Sequence, residues 1–389
     1  MREVILKHLD ENKDFYKDVA HYIWENPEIG FEEYKASEKL MDILEKEGFE
    51  IEKKAAGLDT AFIATKKGNG EGPTLAIMSE YDALVGIGHA CGHNLFSVSS
   101  VAAAIALGKV MDKVPGTLKL IGTPAEEGCV SNAGAKAIMI REGAFDGVDA
   151  AMMCHAEGRN IVRRCLVASA TIKVTFYGKP AHAGGSPHEG INALTAGNLM
   201  INNINGIRQQ FLPRVIVNPI IEEGGIGANT IPDKCVLNLS VRADKKAVLN
   251  DVLAKIENCA KAGALVTGCT YKCESDKEIF EDLIPNEALS QAFQNVFDEL
   301  GVDYLEKEEA NYAWDVGNVS YVCPTIGPYI KIGPETLVGH TDGFREASNS
   351  EEGYNGMILG AKAMALTALD YLTNEKLQKE AKEEFSKKA

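Results

Sequence analysis

No run of this sequence is long and apolar enough to cross a bilayer. The most apolar stretches, such as Ser97 to Leu107, are short and rich in Ala and Ser. Positive charge is also scarce, with 40 Lys and Arg against 56 Asp and Glu and a formal net charge of −16. Such a surface repels phosphate backbones and anionic lipid heads, so neither nucleic acid nor membrane is an expected partner. An anionic substrate is not excluded, because an Arg or a metal ion can reverse the field inside a cleft. The first residues, Met1 to Trp24, are charged and amphipathic, without the apolar core and small-residue cleavage site of a signal peptide. Nine cysteines, odd in number and scattered, do not form a secreted disulfide framework. A reducing cytoplasm is the expected location. There is no internal repeat, low-complexity tract or Gly/Ser linker.

What remains is a soluble globular composition, 45% hydrophobic and 25% charged, over 389 residues. That length leads to the expectation of two domains. The opening reads as one helix towards Asn26, stopped by Pro27, and a second over about Glu33 to Glu47, ending at Gly48. Strand-like runs at Ala61–Thr65 and Thr74–Ser79 precede a helix from about Leu95 to Val110. A strand at Thr117–Gly122, a helix at Ala135–Arg141 and a strand at Ala150–Met153 follow. This alternation predicts a parallel α/β sheet, with ligands beyond the carboxyl ends of its strands. The texture changes near residue 168. Strands at Ala170–Tyr177, Val215–Ile221, Cys235–Ala243 and Cys269–Glu274 interleave with helices at Asn192–Gln209 and Lys246–Ala262. That β-α-β-β-α-β order predicts an inserted α+β two-layer sandwich. The expected division is 1–168 and 277–389 for the main domain, with 169–276 inserted. A long helix is expected around Ser350–Tyr371, followed by a charged tail that frays.

Two segments that follow predicted strands carry chemistry. One runs from Ser79-Glu80-Tyr-Asp82 to Cys91-Gly-His93-Asn; the other is Gly122-Thr-Pro-Ala-Glu126-Glu127-Gly. A Cys-x-His pair offers a thiolate and an imidazole, ligands suited to zinc and tolerated by other first-row metals. Of two adjacent carboxylates, one can bind metal while the other stays free to carry a proton. Each feature alone also fits an incidental buried thiol or a solvated acidic pair. Their joint position at strand ends of one α/β unit favours the chemical reading.

In these stretches the chain resembles the M20 metallopeptidase family. The likeness is to its D subfamily of aminoacylases and amidohydrolases, in the branch of aminobenzoyl-glutamate hydrolase and M20-domain dipeptidase types. The matching stretches also include Asn26-Pro-Glu-Ile-Gly-Phe-Glu-Glu, Gly143-Ala-Phe-Asp-Gly-Val-Asp, Gly178-Lys-Pro-Ala-His-Ala, Gly190-Ile-Asn-Ala-Leu and Gly317-Asn-Val-Ser. The resemblance implies a zinc-peptidase-like α/β catalytic domain with the inserted sandwich as a lid and dimerisation domain. It implies two divalent metal ions, Zn or Mn with Co or Ni as alternatives, held by Cys91, His93, Glu127, His155 and His340. Glu126 then matches the general base towards metal-activated water. Asp82 matches a carboxylate that orients a ligand, and His182 the group that steadies the oxyanion. Asn229 and Arg242 resemble residues that hold a substrate carboxylate. The implied substrate is a small N-acyl amino acid, an aminobenzoyl-glutamate-like compound or a dipeptide, cleaved at its amide bond by a homodimer.

Bland readings stand beside these. Asn229 fits a Gly-rich turn, Arg242 a strand-end surface charge, and Cys129 and Cys154 small buried hydrophobes. Val85, the Cys129 segment, Ala156 and Trp314 depart from the family pattern and bear on substrate choice. Two other functions stay open: a thiol hydrolase with Cys91 as nucleophile, and a non-catalytic binding protein that kept the fold.

Overall fold

The computed structural model describes residues 1–275 and 277–388, so the expected boundary at Asp276 and the terminal Ala389 lie outside it. The chain divides into two compact units, Met1–Leu166 with Leu283–Ala389, and Val167–Asp282. The second unit extends past the expected boundary for a local reason. Phe280 exchanges two backbone hydrogen bonds with Ser169, and the Asp282 carboxylate accepts from the Lys246 N–H at 2.7 Å.

The first unit opens with α1 (Arg2–Glu11), α2 (Lys13–Glu25) and α3 (Tyr34–Lys46), followed by β1 (Glu50–Lys53), β2 (Phe62–Lys67) and β3 (Thr74–Ser79). Then come α4 (His93–Gly108), β4 (Thr117–Gly122), α5 (Ala135–Arg141), β5 (Ala150–Met152), β6 (His155–Glu157) and β7 (Ile161–Cys165). The inserted unit contributes β8 (Ala168–Tyr177), α6 (Ala193–Ile207), β9 (Ile216–Glu223), β10 (Lys234–Ala243), α7 (Lys246–Thr267) and β11 (Thr270–Glu274). The chain closes with α8 (Glu287–Leu300), β12 (Leu305–Glu309), α9 (Val316–Val319), β13 (Thr325–Ile326), β14 (Tyr329–Lys331), α10 (Asp342–Ala347), α11 (Glu351–Thr373) and α12 (Glu375–Lys388).

The main sheet runs β1-β2-β4-β3-β5-β13. It is parallel through β4, β3, β5 and β13, whereas β1–β2 and β2–β4 are antiparallel. It is therefore mixed rather than wholly parallel. The parallel part matters most: Ser79 pairs with Gly122 and Ile77 with Met152, so β3, β4 and β5 end on one edge. Behind them α4 is buried on every face from His93 to Leu107 and packs against α11. Small residues allow that approach, since a Cβ on Gly360 would lie 2.9 Å from Ser99 Oγ.

Three features differ from the sequence reading. The opening helix is two, broken at Asn12. The charged tail is helical as α12, because Leu377 and Ala381 are buried in the main core. A second sheet of this unit, β12-β7-β14-β6, has no counterpart among the expected strands. Arg164 pairs with Glu157 at 2.5 Å and Glu308 at 2.6 Å, and Arg163 with Glu287 of α8 at 2.8 Å, beside the buried apolar side chains of Ile161, Val162 and Ile330.

The inserted unit is an antiparallel sheet ordered β11-β8-β10-β9. Ala196, Met200 and Ile204 of α6 and Val252, Ile256 and Ala260 of α7 share its core with Val174, Phe176, Leu237 and Leu239. No described helix is long and apolar enough to cross a membrane.

Candidate metal centre

The candidate residues sit where β3, β4 and β5 end. Gly92, at φ +80°, turns the chain between Cys91 and the start of α4; a Cβ there would lie 2.5 Å from Ala156 Cβ. The tight turn leaves room only for Gly and sets His93 as the first residue of α4. Glu126 and Glu127 follow β4 in a turn whose preceding residue, Ala125, has φ +50°. That turn is held from outside: Glu33 Oε1 accepts from the Ala125 N–H at 2.8 Å, and Glu33 Oε2 accepts from Thr60 Oγ1 at 2.8 Å. Gly30 lies against the same turn, where a Cβ would come 2.8 Å from Ala125 Cβ. The Asn26–Glu33 stretch thus braces the acidic pair, a role its sequence does not reveal.

Cys91, His93 and His155 form one convergent set, Cys91, Glu127 and His340 a second, and His93, Glu126 and Glu127 a third, with donor atoms within 4.8 Å in each. Cys91 belongs to two of these sets. Cys91 Sγ lies 3.5 Å from His155 Nε2, and His340 Nε2 lies 3.6 Å from Glu127 Oε1. Neighbouring ligands on one tetrahedral zinc stand about 3.3–3.8 Å apart, given bonds of about 2.0–2.3 Å. His340 is exposed, and its backbone is fixed at φ +62° by an N–H bond of 2.9 Å to the Ala90 carbonyl.

Orientation of the imidazoles is set on their far sides. His93 Nδ1 lies 3.1 Å from Asp82 Oδ1 and His155 Nδ1 2.9 Å from the Ala156 carbonyl, so in both rings Nδ1–H donates and Nε2 is the nitrogen left for a metal ion. Asp82 Oδ2 accepts from the Glu127 N–H at 2.8 Å, so one carboxylate holds both His93 and Glu127.

Electrostatics of the centre call for added positive charge. Glu80, Asp82, Glu126, Glu127 and Asp315 are all buried, with Lys136 as the buried cation among them. Burial, then the charges of Glu80, Glu127 and Asp315, push the Glu126 carboxyl well above its usual range. Burial also raises Glu127, against the pull of His93. Asp82 goes the other way: burial alone would raise it, but the hydrogen bond and charge of His93 hold it below its usual range. Burial and then the charge of Glu127 raise the Cys91 thiol, while burial and the charge of His93 lower His155 to about 4. His93 Nε2 and Glu127 Oε1 are buried with no hydrogen-bond partner. Bare donor atoms of this kind, in a thiol–imidazole–carboxylate set surrounded by excess acid, fit divalent cations.

Other expected residues are placed differently. His182 is an exposed residue of the inserted unit; its Nδ1 accepts from the Gly184 and Gly185 N–H groups at 3.2 and 2.9 Å. Asn229 lies beside it, its carbonyl accepting from the Ala183 N–H at 2.9 Å. Arg242 is not with them. It pairs with Ser169 at the start of β8, whereas His182 follows the end of β8 beyond Tyr177. Eight residues of strand separate those ends, about 27 Å. Trp314 is buried rather than lining a cleft: its ring centre is 5.1 Å from that of His155, and its N–H donates to Glu80. Its contacts are thus with two groups at the centre. Cys154 is buried as expected, but Cys129 is exposed.

Residues 167–267 match the peptidase dimerisation domain model of the M20 group. The chain is 36% identical to the mouse (Mus musculus) Xaa-Arg dipeptidase over 97% of its own length and 90% of that protein's. It is 32% identical to one of the subunits of the p-aminobenzoyl-glutamate hydrolase of Escherichia coli, covering 78% of this chain and 66% of that one. The fold matches a dinuclear metal-binding peptidase of the M20 family from Bacillus subtilis, with a TM-score of 0.70 at 21% identity over 93% and 99% of the two chains. The chain belongs to the M20 metallopeptidase family and is an enzyme of its amidohydrolase and dipeptidase kind.

Proposed function

We propose that the protein hydrolyses the amide bond of a small dipeptide or N-acyl amino acid at a two-cation centre held by Cys91, His93, Glu127, His155 and His340. The observation that carries this is the convergence of those donors, two bare and buried, beside the acid Glu126. Divalent cations bound there supply Lewis acidity, acidifying water and polarising the amide carbonyl. Glu126 takes a proton onto its carboxylate from the attacking water and returns it to the leaving amine. Its buried, acid-rich surroundings suit a group that must hold a proton in mid-reaction. Asp82 keeps His93 and the Glu127 backbone in register. Zn and Mn suit the donor set, with Co and Ni usable by availability.

The names of the mouse and Escherichia coli relatives direct the substrate to a dipeptide ending in Arg or to an aminobenzoyl-glutamate. A net charge of −16 attracts the cationic dipeptide, so that is the first choice. Asn229 and Arg242 would hold its free carboxylate and His182 its oxyanion. One inserted unit cannot aim all three at a single small molecule across about 27 Å. A homodimer, in which a second copy lends His182 and Asn229, removes the difficulty. The proposed location is the cytoplasm.

The test is turnover of Xaa-Arg dipeptides, N-acyl amino acids and aminobenzoyl-glutamate by metal-free protein reloaded with Zn, Mn, Co or Ni. Activity that returns only with metal supports the proposal. Full activity without metal, abolished by a thiol-alkylating agent, assigns the reaction to Cys91 and His155 instead. A blank across the panel leaves a binding protein.

A further inference from the structure

Glu80 belongs to none of the three convergent sets, yet its two carboxylate oxygens have sharply different surroundings. It directly follows β3 and is completely buried. Oε1 accepts from the Lys136 ammonium and from Trp314 Nε1 at 2.6 Å. Lys136 is fixed in turn: its ammonium donates to Asp315 Oδ1 at 2.6 Å and its backbone N–H to Asp315 Oδ2 at 3.2 Å. Oε2 has no hydrogen-bond partner and lies 3.6 Å from His93 Nε2, which has none either.

A hydrogen bond does not join that pair, because 3.6 Å is too long for one. The far side of each group is already tied, His93 by Asp82 and Glu80 by Lys136 and Trp314. Two buried polar atoms are thus held facing one another at the spacing of adjacent ligands on a small divalent ion. Counter-charge to Lys136 accounts for Oε1, while Oε2 is turned to His93 Nε2 at 3.6 Å.

We infer that Glu80 is a further carboxylate of the metal centre, giving Oε2 to the ion that His93 holds. Lys136 and Trp314 position it by occupying Oε1, so that a single oxygen is free to bind. Trp314 touches two groups of the centre, since its ring packs on His155 and its N–H anchors Glu80. The inference rests on the proposed two-cation centre.

The experiment measures zinc stoichiometry and affinity, and the visible absorption of the cobalt(II)-loaded protein, for wild type, Glu80→Gln and Glu127→Gln. Glu80→Gln keeps the size and an oxygen for Lys136 and Trp314 but replaces the free oxygen with an amide nitrogen. Its affinity for one ion is expected to fall about 10–100-fold, the range for losing a supporting group or more, with an altered cobalt spectrum. Should that variant not fold, Glu80→Asp keeps the charge for Lys136 and withdraws the free oxygen, and the same loss of one ion is expected. Wild-type affinity and spectrum in a folded Glu80 variant, with Glu127→Gln impaired, overturn this inference and leave the centre standing. A wild-type protein that binds no ions overturns the centre itself.

Discussion

Glu126→Gln tests the proposed chemistry with the least disturbance. The side chain keeps its volume in a buried site, so packing is preserved, while the ability to take up and release a proton is lost. General acid–base groups contribute about 10²–10⁴ in rate, which at about 1.36 kcal/mol per decade is about 2.7–5.4 kcal/mol of barrier. The expected result is a kcat lower by that factor with KM little changed. The metal-free variant should also be more stable than wild type at neutral pH. Burial and the charges of Glu80, Glu127 and Asp315 raise the folded-state pKa of Glu126, so its ionised form costs stability above the unfolded value. Steady-state kinetics on the metal-loaded protein, metal analysis and thermal melts of the metal-free protein read all three. Because Glu126 Oε2 lies 3.8 Å from His93 Nε2, metal content is decisive. A variant that loses an ion along with its activity makes Glu126 a ligand, and one with wild-type kcat removes it from the reaction; either refutes the reasoning.

Asp82→Asn removes the charge that Asp82 presents to His93, while leaving the fold's packing intact. Metal affinity measured by competition with a chelating dye is expected to fall about 10–100-fold. Glu33 gives a pH signature. Burial, with the charge of Asp82, pushes its carboxyl from 4.5 up to about 8. The folded state therefore holds a proton that the unfolded state releases, and stability of the metal-free protein falls as pH rises from about 4.5 to 8. At about 1.36 kcal/mol per unit the loss amounts to a few kcal/mol. Glu33→Gln should flatten that part of the profile in urea melts at successive pH values; an unchanged slope assigns the loss elsewhere.

Much of the scaffold is legible in the residues. Thr74–Ser79 and Thr117–Gly122 read as strands because each is an apolar run ending at a change to acidic or turn residues. The inserted sandwich reads from β-branched strands alternating with helical periodicity, and its element order appears as expected. The second sheet of the main unit does not read that way. Arg163-Arg164 in β7 and Leu-Glu-Lys-Glu-Glu in β12 look like solvated surface until Glu308 is found opposite Arg164. Likewise Lys136 reads as an ordinary helix-surface lysine, and only tertiary packing shows it buried against Glu80 and Asp315. At the centre, Cys91 and His155 are 64 residues apart and no spacing rule joins them; family likeness alone placed them together. The brace from Glu33 to Ala125 crosses 92 residues and carries no local signal.

Most depends on cations being held where these donors meet. An anomalous-scattering map of the zinc-loaded protein tests this directly. It should show two peaks about 3.5–4 Å apart, within bonding distance of Cys91, His93, Glu127, His155 and His340 and beside Glu126. A map from active crystals with no peak in contact with Cys91 and Glu127 contradicts the account.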